Sequence, residues 1–380
     1  MPDHEVLIVG AGPVGLLLAC LLAQDGVDVA VLERTDGADD RARAIGIHQP
    51  GLAALDAVGV GADVRAAARE LEGGDVFSRG RLLASLDFRS DRGVRVLPQP
   101  VTGALLRARF DDLTRHVPTG SGLRLGASVH AVRDEGSFVR VTVDRAGDQQ
   151  ELTAALVVGA DGVRSMVRAT MGAHWRRSPG RAAYVMVDVV DPSSGARAAL
   201  YCEPDGLVES FPLPGGGRRW VARQSSPADA AASTAATLRA QIHARTGLRA
   251  EIDDDAVVSP FVAAQHGSSP VVRGRLALLG DAAHEISPIG GQGMNLGWVD
   301  ARHLAAAIIR ARGGTCADFG DYERHVRRST RAAQQRSAFY MAMGSPARGM
   351  GGRARDAVVR ALGSPPLRPW ASGLITMRGL

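Results

Sequence analysis

A strand end, a carboxylate, a glycine-rich loop and a helix start follow one another near residue 280. The apolar run 276–279 leads into residues 280–295, which read GDAAHEISPIGGQGMN, and a helical pattern extends from Leu296 to Arg310. Such a succession places free backbone N–H groups and the positive end of a helix dipole at one point. We therefore expect a ligand site here, in which the Asp281 carboxylate accepts hydrogen bonds from ribityl or ribose hydroxyls.

The first residues of the chain carry a second arrangement of this kind. A strand, the loop GAGPVG, a helix and another strand occupy residues 5–32, and Glu33 follows directly. In such a βαβ unit Gly10 allows the tight turn, Gly12 lets the backbone approach a pyrophosphate, and Gly15 lets the helix pack closely on the strand. A carboxylate at Glu33 can bind a ribose diol. The unit predicts a dinucleotide site that favours FAD or NAD over NADP.

A third stretch, GADGVRS at 159–165, follows the short buried strand 156–158. Asp161 could cap the helix after it. Ser165 lacks the G-x-S-x-G elbow of a nucleophile. For His284 we prefer a structural hydrogen-bonding role over that of a catalytic base, and since His266 and His284 lack metal-ligand spacing we expect no metal site.

Composition describes an ordinary globular chain. Its 380 residues are 45% hydrophobic and 22% charged, and the net charge is +5. All of the basic residues are arginine, which excludes a Schiff-base lysine, a P-loop lysine or a lysine general base. Three distant cysteines make no disulfide framework, and no apolar run is long enough to span a membrane, so we expect a cytoplasmic protein. We expect it to be a monomer or a homodimer.

The chain becomes arginine-rich towards residue 380. From Arg324 onwards there are eleven arginines and one acid, Asp356. A nucleic-acid or anionic-membrane patch is one interpretation. A solvated helical face is the one we favour, because no nucleic-acid motif accompanies it. The glycines and prolines after residue 344 predict a loosely docked terminal element with one helix near 354–362.

The order of the elements indicates the fold. Strand–glycine–helix pieces occur at the start, near 156–170 and near 276–312, with β-rich sequence between them. We predict an α/β fold in which a Rossmann-like dinucleotide domain is assembled from discontinuous segments, with an inserted β-sheet domain and C-terminal helices. The predicted limits are 1–75, 101–175 and 271–330 for the first domain, 76–100 and 176–270 for the sheet domain, and 331–380 for the helical element.

Together the three motifs resemble the FAD-dependent aromatic hydroxylases of the p-hydroxybenzoate hydroxylase type, the group A flavoprotein monooxygenases. GAGPVG with Glu33-Arg34, GADGVRS and GDAAH…P…GGQGMN occur in that family's order over about residues 5–312. The resemblance implies tightly but non-covalently bound FAD. It also implies that NADPH or NADH reduces the flavin, and that a C4a-hydroperoxide formed with O₂ hydroxylates an aromatic or polyketide-like small molecule, as in secondary metabolism.

The resemblance also implies roles for individual residues, and it assigns no acid–base residue because the flavin carries the chemistry. The ring of the flavin would be faced by Pro288, Gly290, Gly291 and Gly293. The cofactor-binding residues would be Gly10, Gly12, Gly15, Glu33, Arg34, Arg43, Gln99, Arg107, Asp161, Asp281, Pro288, Gly291, Gly293, Met294 and Asn295. Substrate contacts are expected in the inserted sheet, at Met186, Tyr201, Phe211, Trp220 and Arg223.

Several alternatives remain open. The same flavin chemistry supports Baeyer–Villiger oxidation or epoxidation, and a geranylgeranyl-reductase-like enzyme or a non-catalytic flavin-binding protein would share the scaffold. A flavin halogenase is disfavoured, because that family uses a catalytic lysine and a W-x-W-x-I-P motif, both absent here. One departure concerns the nicotinamide or substrate region, where His266 stands in place of the arginine that the family usually has nine positions before Arg275.

Overall fold

The computed structural model describes residues 1–37, 44–88, 93–115, 120–191, 195–312 and 318–377. Its strands are β1 (His4–Val9), β2 (Val29–Leu32), β3 (Gly46–Ile47), β4 (Arg69–Leu71), β5 (Gly73–Ser78), β6 (Arg81–Asp87), β7 (Val94–Val96), β8 (Gly122–Arg124), β9 (Ala127–Asp134), β10 (Val139–Arg145), β11 (Asp148–Gly159), β12 (His174–Arg177), β13 (Ala182–Val190), β14 (Arg197–Glu203), β15 (Gly206–Pro212), β16 (Gly217–Gln224), β17 (Ser259–Ala263), β18 (His266–Ser269), β19 (Val272–Arg273), β20 (Leu276–Leu278) and β21 (His284–Glu285).

Its helices are α1 (Pro13–Gln24), α2 (Gln49–Ala57), α3 (Gly61–Ala67), α4 (Gln99–Thr114), α5 (Met166–Thr170), α6 (Pro227–Ala231), α7 (Ala235–Thr246), α8 (Gly293–Arg312), α9 (Gly320–Met343), α10 (Gly349–Gly363) and α11 (Arg368–Ile375), with 3-10 turns at 214–216 and 280–282. None of these helices is long and apolar enough to cross a membrane.

A parallel sheet forms the centre of the molecule. Its strands lie in the order β20-β11-β1-β2-β8, and all four of these pairings are parallel. Because the strands are covered on both faces, their sequences are nearly continuous apolar runs. The register places Val9 beside Gly159 and Leu32, and Gly159 beside Leu278. The three predicted motifs therefore begin at neighbouring strand ends, and the α/β fold built from separated segments is confirmed.

Helices α1, α2, α4 and α8 cover the strand-end region of this sheet. Helix α1 is apolar on nearly all sides and contacts both α4 and α8, so Leu17 and Leu18 are fully buried. Trp298 of α8 is also fully buried, and its indole N–H donates to the carbonyl of Pro13 at 3.0 Å. This hydrogen bond fixes the two glycine-loop helices against each other.

A second large sheet has the order β17-β13-β16-β15-β14-β5-β6. One face packs on α7, where Leu238 and Ile242 join a buried apolar cluster. Strand β5 starts at Gly73, so the predicted domain boundary after residue 75 falls inside it. Strand β7 does not join this sheet; it pairs with β3 and β4. The domain limits as a whole stay a prediction.

The C-terminal helices are not loosely docked, and residues 345–377 form two of them rather than the one predicted. Arg355 of α10 is 5% exposed and donates to the carbonyls of Cys202 and Ser345. Its neighbour Asp356 is 6% exposed and accepts a hydrogen bond from Ser78 Oγ at 3.2 Å. A buried arginine is stable only with such partners. The sequence prediction failed because it treated every arginine here as a surface charge.

Candidate active site

Gly10 and Gly15 of the first loop are required for close packing, whereas Gly12 faces open space. At Gly10, with φ +106°, an added Cβ would lie 2.5 Å from the carbonyl oxygen of Ala160. At Gly15 it would lie 2.3 Å from the carbonyl oxygen of Gly10. At Gly12 it would meet no atom of the described residues within 4 Å, and Gly12 lines a large cavity. The loop thus leaves room for a pyrophosphate at the start of α1.

Glu33 lies at the end of β2 and already serves the loop. Its Oε2 accepts from the Ala11 amide at 2.9 Å, and its Oε1 accepts from the amide and hydroxyl of Thr35 at 3.0 and 2.8 Å. A carboxylate has further lone pairs, so the predicted ribose contact is compatible with these bonds. Arg34 is exposed. The predicted phosphate ligand Arg43 lies outside the described residues.

Asp161 supports the helix that follows it. Its Oδ2 accepts from the amides of Met166 and Val167 at 2.7 and 3.3 Å, while Ser165 is the N-cap of α5. The helix therefore begins at Met166 with two acceptors for its free amides. The buried Oδ1 of Asp161 has no hydrogen-bond partner within the described part of the chain, and the adjoining Ala160 and Gly162 line the cavity.

The loop after β20 forms the opposite wall of the same cavity end. Asp281 is exposed towards the cavity and lines it. The four predicted ring-facing residues, Pro288, Gly290, Gly291 and Gly293, line it too, as does the predicted cofactor-binding residue Met294. Gly293 belongs to α8, which begins three residues earlier than the predicted Leu296. The sequence pattern placed the helix start too late because its first turn, Gly-Met-Asn, has no apolar period.

Asn295 is a predicted cofactor ligand whose side chain forms its hydrogen bonds within the protein. Its amide donates to the carbonyls of Gly46 and Gly291, both at 2.9 Å, and its carbonyl accepts from the His48 amide at 2.9 Å. It is fully buried and is not among the cavity-lining residues. Asn295 therefore holds the loop of Gly291 against the segment that enters α2.

His284 forms a buried pair with Asp300 of α8. Both side chains are 0% exposed and their atoms Nε2 and Oδ2 are 2.5 Å apart. Burial lowers the pKa of His284, but the charge of Asp300 and their hydrogen bond outweigh it and raise that pKa above its usual value. Burial raises the pKa of Asp300, but its pairing with His284 and with His325, whose Nε2 lies 3.1 Å from Oδ1, outweighs burial and lowers that pKa. The pair links the β20 loop to α8, which is the structural role that we expect for His284.

Helix α4 supplies one side of the cavity end at which the three loops meet. Gln99 is its first residue and lines the cavity. Arg107 follows eight positions later, on the same helical face. It is partly exposed and does not line the cavity.

The cavity of about 640 Å³ continues from this end onto the second sheet. Met186 and Phe211, two of the residues predicted to contact substrate, line it. Its far side is closed by α10 and α11, through Val359, Leu362, Ala371 and Ile375 among others. The terminal helices thus form part of the wall, which the sequence did not indicate.

Three other residues predicted to touch substrate are not brought to the wall. Trp220 is 6% exposed and points to the face covered by α7. Tyr201 packs against that same cluster and stacks on Phe77 with ring centroids 5.2 Å apart. Arg223 donates to the carbonyl of Met341 and to Ser345 Oγ, at 3.0 and 2.9 Å. Strand alternation puts Trp220 and Tyr201 on the opposite face from the cavity.

Sequence reasoning missed several polar residues at the wall, which are His48, Glu209, Arg219, Glu285 and Tyr340. Burial raises the pKa of Glu209 to about 7 and lowers that of His48 to about 4. Burial also raises the pKa of Tyr340 to about 12. Only Glu209 carried a signal in the sequence, as the single acid within the strand-like run 207–213.

Comparison with known proteins agrees with this geometry. The FAD binding domain family matches residues 3–337. The 6-methylpretetramide 4-monooxygenase of Streptomyces rimosus is 32% identical over 324 residues, covering 80% of this chain and 56% of that protein. A 12-dehydrotetracycline 5-monooxygenase/anhydrotetracycline 6-monooxygenase from Streptomyces rimosus subsp. rimosus is 32% identical over 332 residues, covering 82% and 64%. The chain thus spans 56% and 64% of the length of these two curated relatives.

A solved structure shows the same arrangement over the full length of both chains. The p-nitrophenol 4-monooxygenase of Pseudomonas putida DLL-E4 has a TM-score of 0.84 at 26% identity, with 99% of each chain covered.

Proposed function

Because the chain belongs to the FAD binding domain family, we propose that it is an FAD-dependent monooxygenase. It would use NADPH or NADH together with O₂ to hydroxylate an aromatic or polyketide-like small molecule. The names of the two curated relatives, both monooxygenases of tetracycline-type compounds, support this substrate class.

One observation carries the proposal: the loops after β1, β11 and β20 meet at one end of a single cavity whose other end is apolar. Gly12, Gly162 and Asp281 all line that cavity. A long, two-ended ligand fits such a site, with its charged phosphates at the α1 start and its ring towards the apolar end.

We assign the ends of the FAD accordingly. The glycine loop and Glu33 would hold the pyrophosphate and the adenosine ribose, as the open space at Gly12 permits. Asp281 would accept hydrogen bonds from the ribityl hydroxyls, and the amides around Gly291 and Gly293 would face the ring. The first residues of α8, Gly293 and Met294, line the cavity, so the helix dipole would favour negative charge on a ligand ring there by about 0.3–1 kcal/mol.

The chain's own contribution to catalysis is binding, orientation and exclusion of water. When bound, the flavin supplies the redox chemistry with O₂ and nicotinamide. Phe211, Met186 and the terminal helices would hold the substrate ring near it and keep water out of the cavity. His284 is fully buried against Asp300 and is given no proton-transfer role.

The test is NAD(P)H oxidation by the purified, FAD-loaded chain in the presence of candidate phenols and polycyclic polyketides. We expect at least one compound to stimulate oxidation and to gain one oxygen atom by mass, only when O₂ is present. Turnover under anaerobic conditions would instead indicate a reductase. Ring expansion to a lactone, or an epoxide, would identify the other oxygenase reactions. Yellow protein that never oxidises NAD(P)H with any compound would refute the monooxygenase proposal.

A further inference from the structure

Glu209 is an acidic side chain on an otherwise apolar wall. It lies in the middle of β15, is 4% exposed and lines the cavity. The strand registers place Leu200 of β14 on one side of it and Val221 of β16 on the other, with Met186 of β13 next in the row. All three apolar neighbours line the cavity as well. The row therefore presents three apolar side chains and one carboxyl group to whatever occupies this end.

No group within the described residues pairs with this carboxyl group. Across the described ranges of the chain, the side chain of Glu209 forms no hydrogen bond and no ion pair. Burial is the sole cause of its raised pKa. A buried polar group without a partner costs free energy and is kept where a ligand satisfies it. Packing does not explain the residue, since leucine or valine would suit its position in the row better.

The nearest cavity-lining cation on this sheet is committed elsewhere. Arg219 stands opposite Asp188 in the register, and the two form a double hydrogen bond of 2.6 and 2.7 Å. Arg219 is diagonal to Glu209 across the β15–β16 pair, opposite Phe211. The wall thus offers a carboxyl group, and its arginine is already neutralised by Asp188.

We propose that Glu209 selects the substrate: it forms a hydrogen bond with a hydroxyl or carbonyl group of an uncharged oxygenated ring compound and disfavours rings that bear a carboxylate. This rests on the proposed function, in that the apolar end is taken to be the substrate site. The carboxyl group can donate when protonated and accept when ionised, so it suits both quinone carbonyls and phenols. A ligand carboxylate beside it would face like charge in a medium of low dielectric.

The experiment compares two probes that differ by one carboxylate, 1,8-dihydroxyanthraquinone and 4,5-dihydroxyanthraquinone-2-carboxylic acid. Binding to the FAD-loaded protein is titrated through the change in the flavin absorption spectrum, without NAD(P)H, so that no turnover is needed. The variants are Glu209→Gln, which keeps size and hydrogen bonding, Glu209→Leu, which removes both the charge and the bond, and the exposed control Glu251→Gln. Thermal unfolding of each variant verifies that it is folded.

For the neutral probe we expect Glu209→Leu to raise Kd about tenfold and Glu209→Gln to leave it within about threefold, because only the leucine loses the hydrogen bond. For the carboxylate probe we expect Glu209→Gln to lower Kd by about tenfold or more. Glu251→Gln should change neither value.

Unchanged binding of the neutral probe by Glu209→Leu, or no gain for the carboxylate probe in Glu209→Gln, would overturn the inference. So would failure of the wild-type protein to bind either probe. These readouts are independent of oxygen transfer. A protein that shows the expected binding pattern but never hydroxylates would lose the proposed function and keep this selectivity.

Discussion

Gly12 allows the cofactor assignment to be tested separately from folding. Its backbone, with φ −65° and ψ 168°, is in the extended region open to every residue, and an added Cβ meets no atom within 4 Å. Gly12→Val should therefore change the free energy of unfolding of the FAD-free protein by no more than about 0.5 kcal/mol, as an unobstructed surface exchange does. The new side chain would occupy the space left for the pyrophosphate.

The expected loss of FAD affinity follows from the bonds that the valine would block. Each hydrogen bond from a backbone amide to a charged phosphate is worth about 1.5–3 kcal/mol. Loss of two of them amounts to about 3–6 kcal/mol, which is a roughly 100- to 10,000-fold higher Kd. The variant should be purified colourless or nearly so.

The assay has two parts, flavin bound per protein and chemical unfolding after FAD has been removed from every variant. Removal is necessary because bound FAD itself stabilises the folded state by mass action. Gly195→Val is the matched control, since Gly195 is exposed and an added Cβ there also meets no atom within 4 Å. Gly15→Ala is the contrast: its Cβ would lie 2.3 Å from the Gly10 carbonyl oxygen, so it should lose both stability and FAD. Full FAD content in Gly12→Val would refute the assignment.

Three further changes give distinct outcomes. Asp281→Ala, at an exposed cavity-lining residue, should raise the Kd for FAD about 10- to 100-fold and lower FAD-free stability by less than about 1 kcal/mol; comparable losses of both would mean that Asp281 is structural. Asp300→Ala should cost about 3–5 kcal/mol by leaving His284 buried without its partner. The raised pKa of His284 stabilises the fold fully below pH 6.5, its ordinary value, and this stabilisation is lost as pH rises through the raised pKa. The lowered pKa of Asp300 stabilises the fold fully above pH 3.8, its ordinary value, and this stabilisation is lost as pH falls through the lowered pKa. Urea unfolding should therefore show the largest difference from wild type between these values, and a pH-independent difference would contradict the ion pair. Gly290→Ala should destabilise the fold by more than about 1 kcal/mol, because φ is +93° and the new Cβ would lie 2.6 Å from the ring of Tyr340. Gly293→Ala should destabilise it only mildly, because its Cβ would meet only an ordinary contact at 3.7 Å. Equal effects of the two variants in thermal unfolding would contradict this reasoning.

Local sequence predicted the meeting of the three loops well, because each motif there is continuous along the chain. A strand, a glycine loop and a helix start define their own geometry, and parallel pairing then puts the ends of β1, β11 and β20 side by side. Gly12, Asp281 and Gly291 accordingly reach one cavity.

The substrate end was less predictable, because it depends on which face of each strand turns inward. Trp220 and Val221 are neighbours in sequence, yet only Val221 lines the cavity. Aromatic type favoured Trp220, whereas the position of α7 decides the outcome by covering its face. Arg355 illustrates the same limit, since its burial depends on carbonyls at Cys202 and Glu203, far away in the chain.

The Asn295 side chain has a consequence for how the protein is made. Its hydrogen bonds join it to His48 and Gly46, which precede it by 247 and 249 positions. During synthesis the first βαβ unit leaves the ribosome long before β20 and α8 exist. A nascent chain can therefore form the first glycine-containing loop early, but the wall that includes Gly291 is assembled only after most of the polypeptide has been translated. Such distant closure is slow, and it leaves the apolar end of the cavity uncovered until then.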